Sequence, residues 1–339
     1  LERPVNSNQI NEMFSNLDDS NFSELIEICR RLIYKLDSSD LNDRNSLINW
    51  KNKYMDILTN KYSTDLYSIS IDSLSSIPKV LPMYSDEEKF VDGRIIIRDN
   101  FDKLLENNSK IFIFGEDVGK IGDVNQGLEG LQKKHGKKRV FDTSIRESTI
   151  VGQGIGMSMR GLRPIAEIQY LDYILYALQI LSDDLGTLTY RTHGGQKAPL
   201  IVRTRGHRLE GIWHSGSPLG GMISFLRGVF ILTPRNMTKA AGFYNTLLDI
   251  DQPGVVIEPL NGYRTKEQLP SNYGQFKTPI GEIEILKEGT DITLVSYGST
   301  FNIVINVAKE IEKYGISCEV IDVQSLIPFD IKKEISKSV

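Results

Sequence analysis

Four polar clusters along the middle of this chain carry the residue types that could do chemistry. They are Glu116-Asp117 within Phe114-Gly-Glu-Asp-Val-Gly119, Glu147 at the end of Phe141-Asp-Thr-Ser-Ile-Arg-Glu147, Gln169 and Tyr173 within Gln169-Tyr-Leu-Asp-Tyr173, and His207 and His214 in the Gly- and Ser-rich stretch from Gly206 to Pro218. Carboxylate, amide, phenol and imidazole together suit proton transfer around an organic ligand. Glu147 stands out, because the run that follows it is small or apolar: Ile150, Val151, Gly152, Gly154, Ile155 and Gly156. A carboxyl beside such a wall loses hydration and tends to hold its proton, which suits acid–base work near neutral pH. The plainer alternative is that Glu147 only favours a helix N-terminus electrostatically. The residues alone leave both readings open. His135 and His193 lie outside these clusters and read as structural.

The elements that must position these groups alternate between strand and helix from about residue 90, a pattern that argues for a mostly parallel sheet covered on both faces. Strands are expected at Ile111–Phe114, Arg139–Asp142, Pro164–Gln169, Leu200–Arg203, Val229–Thr233 and Val255–Glu258, and helices at Gly93–Leu105, Glu147–Arg160, Asp172–Tyr190 and Asn236–Asp249. In open parallel sheets ligands bind beyond the carboxyl ends of the strands. Each of the four clusters follows a strand, so all four belong to one edge. Asp172 is expected to cap its helix, and the apolar residues after it run nearly all round.

Gly152-Gln-Gly-Ile-Gly156 invites a dinucleotide-binding reading, but that fingerprint needs a glycine where Met157 stands and should open a helix. A close packing face is the better expectation, with all three glycines in tight backbone approach.

Other regions frame this core. Residues 1 to about 88 are polar and carry two helix-like runs, Phe22–Leu36 and Leu47–Thr59, the first with Leu25, Ile28, Cys29, Leu32, Ile33 and Leu36 on one stripe. They read as a helical arm and linker with connectors at Ser38–Asp43 and Ser68–Ser76. Residues 89–265 form the main α/β domain, 266–290 a Gly- and Pro-containing linker, and 291–339 a second α/β unit: strand Ile292–Tyr297, helix Thr300–Tyr314, strand Cys318–Val323. Two strands and a helix are too few for an independent domain, so this unit reads as incomplete and the chain as a fragment.

Bulk properties narrow the class. The 339 residues are 40% hydrophobic and 25% charged, with a net charge of -4 that offers no basic footprint for nucleic acid. The two cysteines form no CxxC pair, which argues against a zinc site or disulfide scaffold and favours a reducing cytoplasm. Apolar runs fall short of the roughly 20 residues that cross a bilayer, so no membrane partner is expected.

The motifs FGEDVG, KRVFDTSIRE, GQGIGMSMRGLRPIAEIQYLDY, GIWHSGSP, TPRN and EVIDVQSLIPFD, in this order, resemble the beta-type half of thiamine-diphosphate-dependent 2-oxoacid dehydrogenases of the pyruvate or branched-chain type. The resemblance covers about residues 90 to 339. It implies a transketolase-like pyrimidine-binding domain followed by a truncated transketolase C-terminal-type domain, preceded by the helical arm, which would join an alpha-type half in a fused chain. It also implies oxidative decarboxylation of a 2-oxoacid, branched-chain ahead of pyruvate, with acyl transfer to lipoate. Glu147 would hydrogen-bond a ring nitrogen of the aminopyrimidine and set its tautomer, with Gln169, Tyr173 and Ile145 lining the same ring. His214 would assist acyl transfer, and His207 is a weaker candidate on the substrate or lipoyl side.

The implied partners are an alpha-type half, a second copy and the lipoyl acyltransferase. No GDG…N signature for magnesium and diphosphate occurs in the sequence, which places magnesium on the alpha half, with no metal ligands here. The chain alone is then not expected to be active. Some relatives also hold a structural potassium ion through carbonyls near the positions of Leu200 and Ile201 and an acidic loop near Ile250. The competing readings are a transketolase or deoxyxylulose-phosphate synthase fragment, for which only Arg203, Arg205 and Arg208 speak, and a non-catalytic scaffold.

Overall fold

The computed structural model describes residues 22–36, 41–63, 66–67, 74, 77–207 and 211–338. The chain divides into two compact units, 1–64 and 65–339.

In the first unit, α1 (Phe22–Lys35) and α2 (Leu41–Ser63) pack on one another. The buried stripe of α1 is Ile26, Cys29, Leu32 and the following Leu36. It rotates the expected face by placing Ile26 inside and leaving Leu25 half-buried. Helix α2 is longer than Leu47–Thr59, because nothing in 41–46 breaks a helix and Asp43 suits its first turn. The connector expected at 68–76 lies outside the described residues except for Leu74, as do 38–40 of the other.

The second unit is built on a seven-stranded sheet in the order β12-β6-β7-β5-β4-β2-β3, parallel except for β12. Its strands are β2 (Ile111–Gly115), β3 (Val140–Asp142), β4 (Arg163–Glu167), β5 (Ile201–Gly206), β6 (Phe230–Leu232), β7 (Gly254–Pro259) and β12 (Ser325–Ile327). Helices α3 (Gly93–Asn107), α4 (Glu147–Met159), α5 (Leu219–Phe225) and α6 (Met237–Leu248) join them. Around this sheet the buried apolar residues form two clusters. One gathers Ile96, Phe101, Ile113, Phe243 and Tyr244, and the other Phe114, Val151, Leu181, Leu200 and Ile257. The central strands are buried along their length, β5 and β7 at every residue, with charged Glu167, Arg203, Arg205 and Glu258 enclosed among the apolar ones.

The expected helix Asp172–Tyr190 is instead three short pieces: a 3-10 turn at Leu171–Ala177, a π turn at Ile180–Leu185 and an α turn at Leu188–Arg191. The first two pieces bury Leu171, Ile174, Ala177, Leu181 and Leu185. Gly186 then closes the π turn where an added Cβ would lie 2.3 Å from the Arg227 carbonyl. Apolar residues do extend beyond the buried face, since Leu175 and Tyr176 are exposed. Asp172 does not cap the segment; Tyr170 occupies the cap position and no side chain bonds there.

The glycine expectation also needs correction. Only Gly154 meets a neighbour, the Leu200 side chain, while Gly152 and Gly156 face open space.

Residues 77–88, read above as linker, run along the second unit. Val80 bridges Lys277, Tyr84 bridges Pro270, and the Met83 N–H donates to Asn272 at 2.8 Å. Strand β1 (Phe90–Asp92) pairs antiparallel with β8 (Lys266–Gln268). The C-terminal part forms a three-stranded sheet, β10-β11-β9, from β9 (Glu284–Lys287), β10 (Ile292–Ser296) and β11 (Cys318–Asp322), with α7 (Thr300–Glu312) covering Phe301, Ala308, Cys318 and Val320. Its small core is supplemented by attachment. Strand β12 joins the large sheet beside β6, and Arg235 spans the parts through Glu284 (2.5 Å) and Asp322 (2.7 Å). Both cysteines are free and buried, and no described helix is long and apolar enough to cross a membrane.

Candidate active site

The carboxyl ends of β2, β3 and β4 deliver the sequence-predicted groups to one edge. Glu147 is the first residue of α4 and only 7% exposed. Glu116 follows β2, and its carboxyl is raised above the usual value by burial, then by the charges of Asp117 and Glu147. Asp117 and Glu147 thus lie close enough for their charges to disfavour the ionised form of Glu116.

Asp117 sits in the left-handed region (φ 59°) and accepts a hydrogen bond from Gln169 Nε2 at 3.0 Å, which fixes the amide at the end of β4. The turn that carries these acids is pinned by Asp142 at the end of β3, whose carboxylate accepts the Gly119 N–H at 2.6 Å. A Cβ at Gly119 would lie 2.3 Å from Gln132 Nε2 and 2.6 Å from that carboxylate, so a larger residue here would displace one of these side chains.

Tyr173 projects from the 3-10 turn into the same region. Its phenol is held above the ordinary value by burial and then by Asp172, Glu116, Tyr170 and Glu147. It stands edge-on to His214, ring centroids 5.4 Å apart, while Tyr170 stacks flat on His214 at 3.5 Å. His214 Nδ1 lies 3.2 Å from both carboxylate oxygens of Asp172. The imidazole is therefore oriented by a carboxylate and clamped by an aromatic face, an arrangement that fixes a ring for proton transfer. His214 itself lies in the left-handed region (φ 54°), so the loop backbone is bent to present it.

Ile145 stands 66% exposed on the loop before α4. His207 is turned elsewhere. It is buried, its Nδ1 lies 3.2 Å from Ser217 Oγ, and its ring stacks on Tyr297 of the C-terminal part at 5.1 Å. Burial lowers its pKa. The structure thus groups Glu147, Gln169, Tyr173 and His214 and leaves His207 at the junction with the C-terminal part.

Sequence reasoning placed Glu116 on the site edge without assigning it a role, and it missed Tyr170 and the Asp172–His214 pair. The signal for Glu116 was its position after a strand; for Tyr170 and Asp172 it was only adjacency to Gln169 and Tyr173.

Beneath the edge lies a buried charge network. Arg203 Nε and Nη2 pair with Glu258 at 2.8 and 3.1 Å, Arg203 Nη1 reaches Asp123 at 2.8 Å and also Glu167, and Arg205 Nη1 reaches Asp123 at 2.9 Å. Tyr244 donates to Glu258 at 2.7 Å. Burial alone would raise Asp123, but Arg205 and Arg203 outweigh it and hold its carboxyl low. Glu167 goes the other way, pushed up to about 7 by burial against the pull of Arg205 and Arg203. By anchoring Asp123, the network holds the loop that carries Glu116 and Asp117.

Comparison with known proteins adds family evidence to this geometry. Residues 91–266 match the family described as "Transketolase, pyrimidine binding domain", and 281–339 match "Transketolase, C-terminal domain". The chain is 35% identical over 236 residues to the pyruvate dehydrogenase E1 component subunit beta of Acholeplasma laidlawii, covering 69% of this chain and 72% of that one. It is 32% identical over 228 residues to the 2-oxoisovalerate dehydrogenase subunit beta of Bacillus subtilis (strain 168), covering 67% and 69%. Among solved structures, a split-gene transketolase described as an inactive beta4 tetramer aligns with TM-score 0.58 at 20% identity, over 73% of this chain and 76% of that one. A transketolase mutant from Pichia stipitis aligns with TM-score 0.55 at 13% identity over 94% of this chain, which spans 46% of that protein. These last two likenesses concern the fold.

Proposed function

The chain belongs to the family of beta subunits of pyruvate and 2-oxoisovalerate dehydrogenase E1, thiamine-diphosphate-dependent oxidoreductases, and from this we propose that it supplies the proton-control half of a 2-oxoacid-decarboxylating site. The observation that carries the reading is the buried Glu147 at the head of α4, sharing its corner with Glu116 and Tyr173. The donor set fits an aminopyrimidine: Glu147 offers an acceptor to a ring nitrogen, Gln169 and Tyr173 offer polar contacts, and exposed Ile145 offers an aliphatic face. Bound thiamine diphosphate supplies the electron sink for loss of carbon dioxide from a 2-oxoacid.

The chain's own residues do the rest. Glu147 holds a proton at the pyrimidine ring nitrogen, and Glu116 keeps that corner reluctant to carry two negative charges. Asp117 fixes the Gln169 amide. Asp172 takes the Nδ1–H of His214, leaving Nε2 as the nitrogen that exchanges a proton during acyl transfer to a lipoyl group. Tyr170 keeps the ring in plane. His207, at the junction, keeps only a place near the substrate or lipoyl side.

In this proposal an alpha subunit completes the site with magnesium and diphosphate ligands, a second copy completes the assembly, and a lipoyl acyltransferase accepts the product in the cytoplasm. The relatives above are separate beta subunits and lend no support to a fused origin. Relatives of both substrate classes match at similar identity, so the substrate proposed is the shared class, a 2-oxoacid; relative kcat/KM with pyruvate and 2-oxoisovalerate selects between them. The reading is tested by calorimetric titration of thiamine diphosphate with magnesium. Binding is expected when the alpha subunit is present and lost when the chain is alone; equally tight binding by the chain alone contradicts a shared site.

A further inference from the structure

At the opposite edge of the large sheet, Arg163 opens β4 and buries its guanidinium against the C-terminal end of α6. Nη2 donates to two main-chain carbonyls, Leu247 at 2.7 Å and Ile250 at 2.6 Å, and Nη1 lies 3.4 Å from the Asp251 carboxylate. Lys197 Nζ is 3.5 Å from the same carboxylate. Carbonyls in the last turn of a helix carry the negative end of the helix dipole and attract a cation, and the Leu247 carbonyl does so while also accepting the Ile250 N–H at 3.3 Å. One guanidinium nitrogen bears two N–H groups and so serves both carbonyls at once. On the neighbouring strand, the Leu200 carbonyl is already taken by the Gly254 N–H at 3.1 Å.

The family resemblance implies a structural potassium ion among carbonyls near Leu200, Ile201 and Ile250. The residues present do not fit such an ion: the Ile250 carbonyl and its neighbour at Leu247 are occupied by Arg163, and Leu200 by backbone. We propose that Arg163 is a built-in cation that replaces a bound monovalent ion, tying the end of α6 and the entry to β7 to the start of β4. The inference is independent of the catalytic reading, because Arg163 lies at the amino end of the strand whose carboxyl end leads to Gln169.

The test is thermal melting of the full chain in potassium chloride and in tetramethylammonium chloride at equal ionic strength. The wild-type Tm is expected to be the same in both salts. Arg163→Ala is expected to melt about 3–10 °C lower in tetramethylammonium, having removed the guanidinium from the Ile250 and Leu247 carbonyls, and to regain part of the loss in potassium. Arg163→Lys, which keeps a cation within reach, is expected to melt nearer the wild type and to ignore potassium. A potassium-specific rise in the wild-type Tm overturns the proposal, as does an Arg163→Ala loss that potassium does not reduce. The wild-type comparison decides even if neither variant folds.

Discussion

Glu147 was singled out in sequence as a carboxylate followed by small and apolar residues at a strand-to-helix joint, a pattern that equally fits a plain helix N-terminus, and the structure buries it there. His214 was legible as a residue but not as a device, since its partner Asp172 had the spacing of a helix cap and was expected to spend its carboxylate on backbone. Tertiary contact redirected it, and the 3-10 turn frees Asp172 to meet the loop imidazole at 3.2 Å. If Asp172 orients His214, then Asp172→Asn leaves decarboxylation measured with an artificial electron acceptor near wild type. Reductive acylation of the lipoyl partner is expected to fall about 10-fold or more, with a changed pH profile. A merely structural role would lower both activities together.

Helices and strands were read where periodicity was clean. α4 matches its expected start at Glu147, and the C-terminal helix begins at Thr300 as expected. The failures lie where packing overrides local pattern. The segment 171–191 looked like one buried helix, but it runs as 3-10, π and α pieces and leaves Leu175 and Tyr176 exposed. The pairing of β12 with β6 was out of reach because it depends on a segment about a hundred residues later in the chain. That crossing also explains how so small a C-terminal core is held: its strand lies in the larger sheet, and Arg235 links the two parts.

For the whole molecule, the charged network under the site is the feature least visible in sequence, since Arg203 and Arg205 first read as scattered basic residues on an apolar strand. Their carboxylate partners come from three separate segments, at Asp123, Glu167 and Glu258. The network sets a pH dependence. Glu167 has a folded pKa of about 7 against an ordinary 4.5, so the folded state binds the extra proton between those values. Its contribution is fully present below the ordinary value and is lost as pH rises through about 7. Tm is therefore expected to fall between about pH 5 and pH 8, and Glu167→Gln, which stays neutral, is expected to flatten that fall. An unchanged slope in the variant would assign the dependence to other groups. On the proposed reading the chain supplies one side of a shared site, anchored on a charged floor, and its chemistry is expected in assembly with the alpha subunit. The measurement that tests this most directly is 2-oxoacid decarboxylation by the chain assembled with its alpha subunit, wild type against Glu147→Gln. The account predicts a kcat lower by about 10²–10⁴-fold with assembly intact, and a variant that assembles and turns over at the wild-type rate would contradict it.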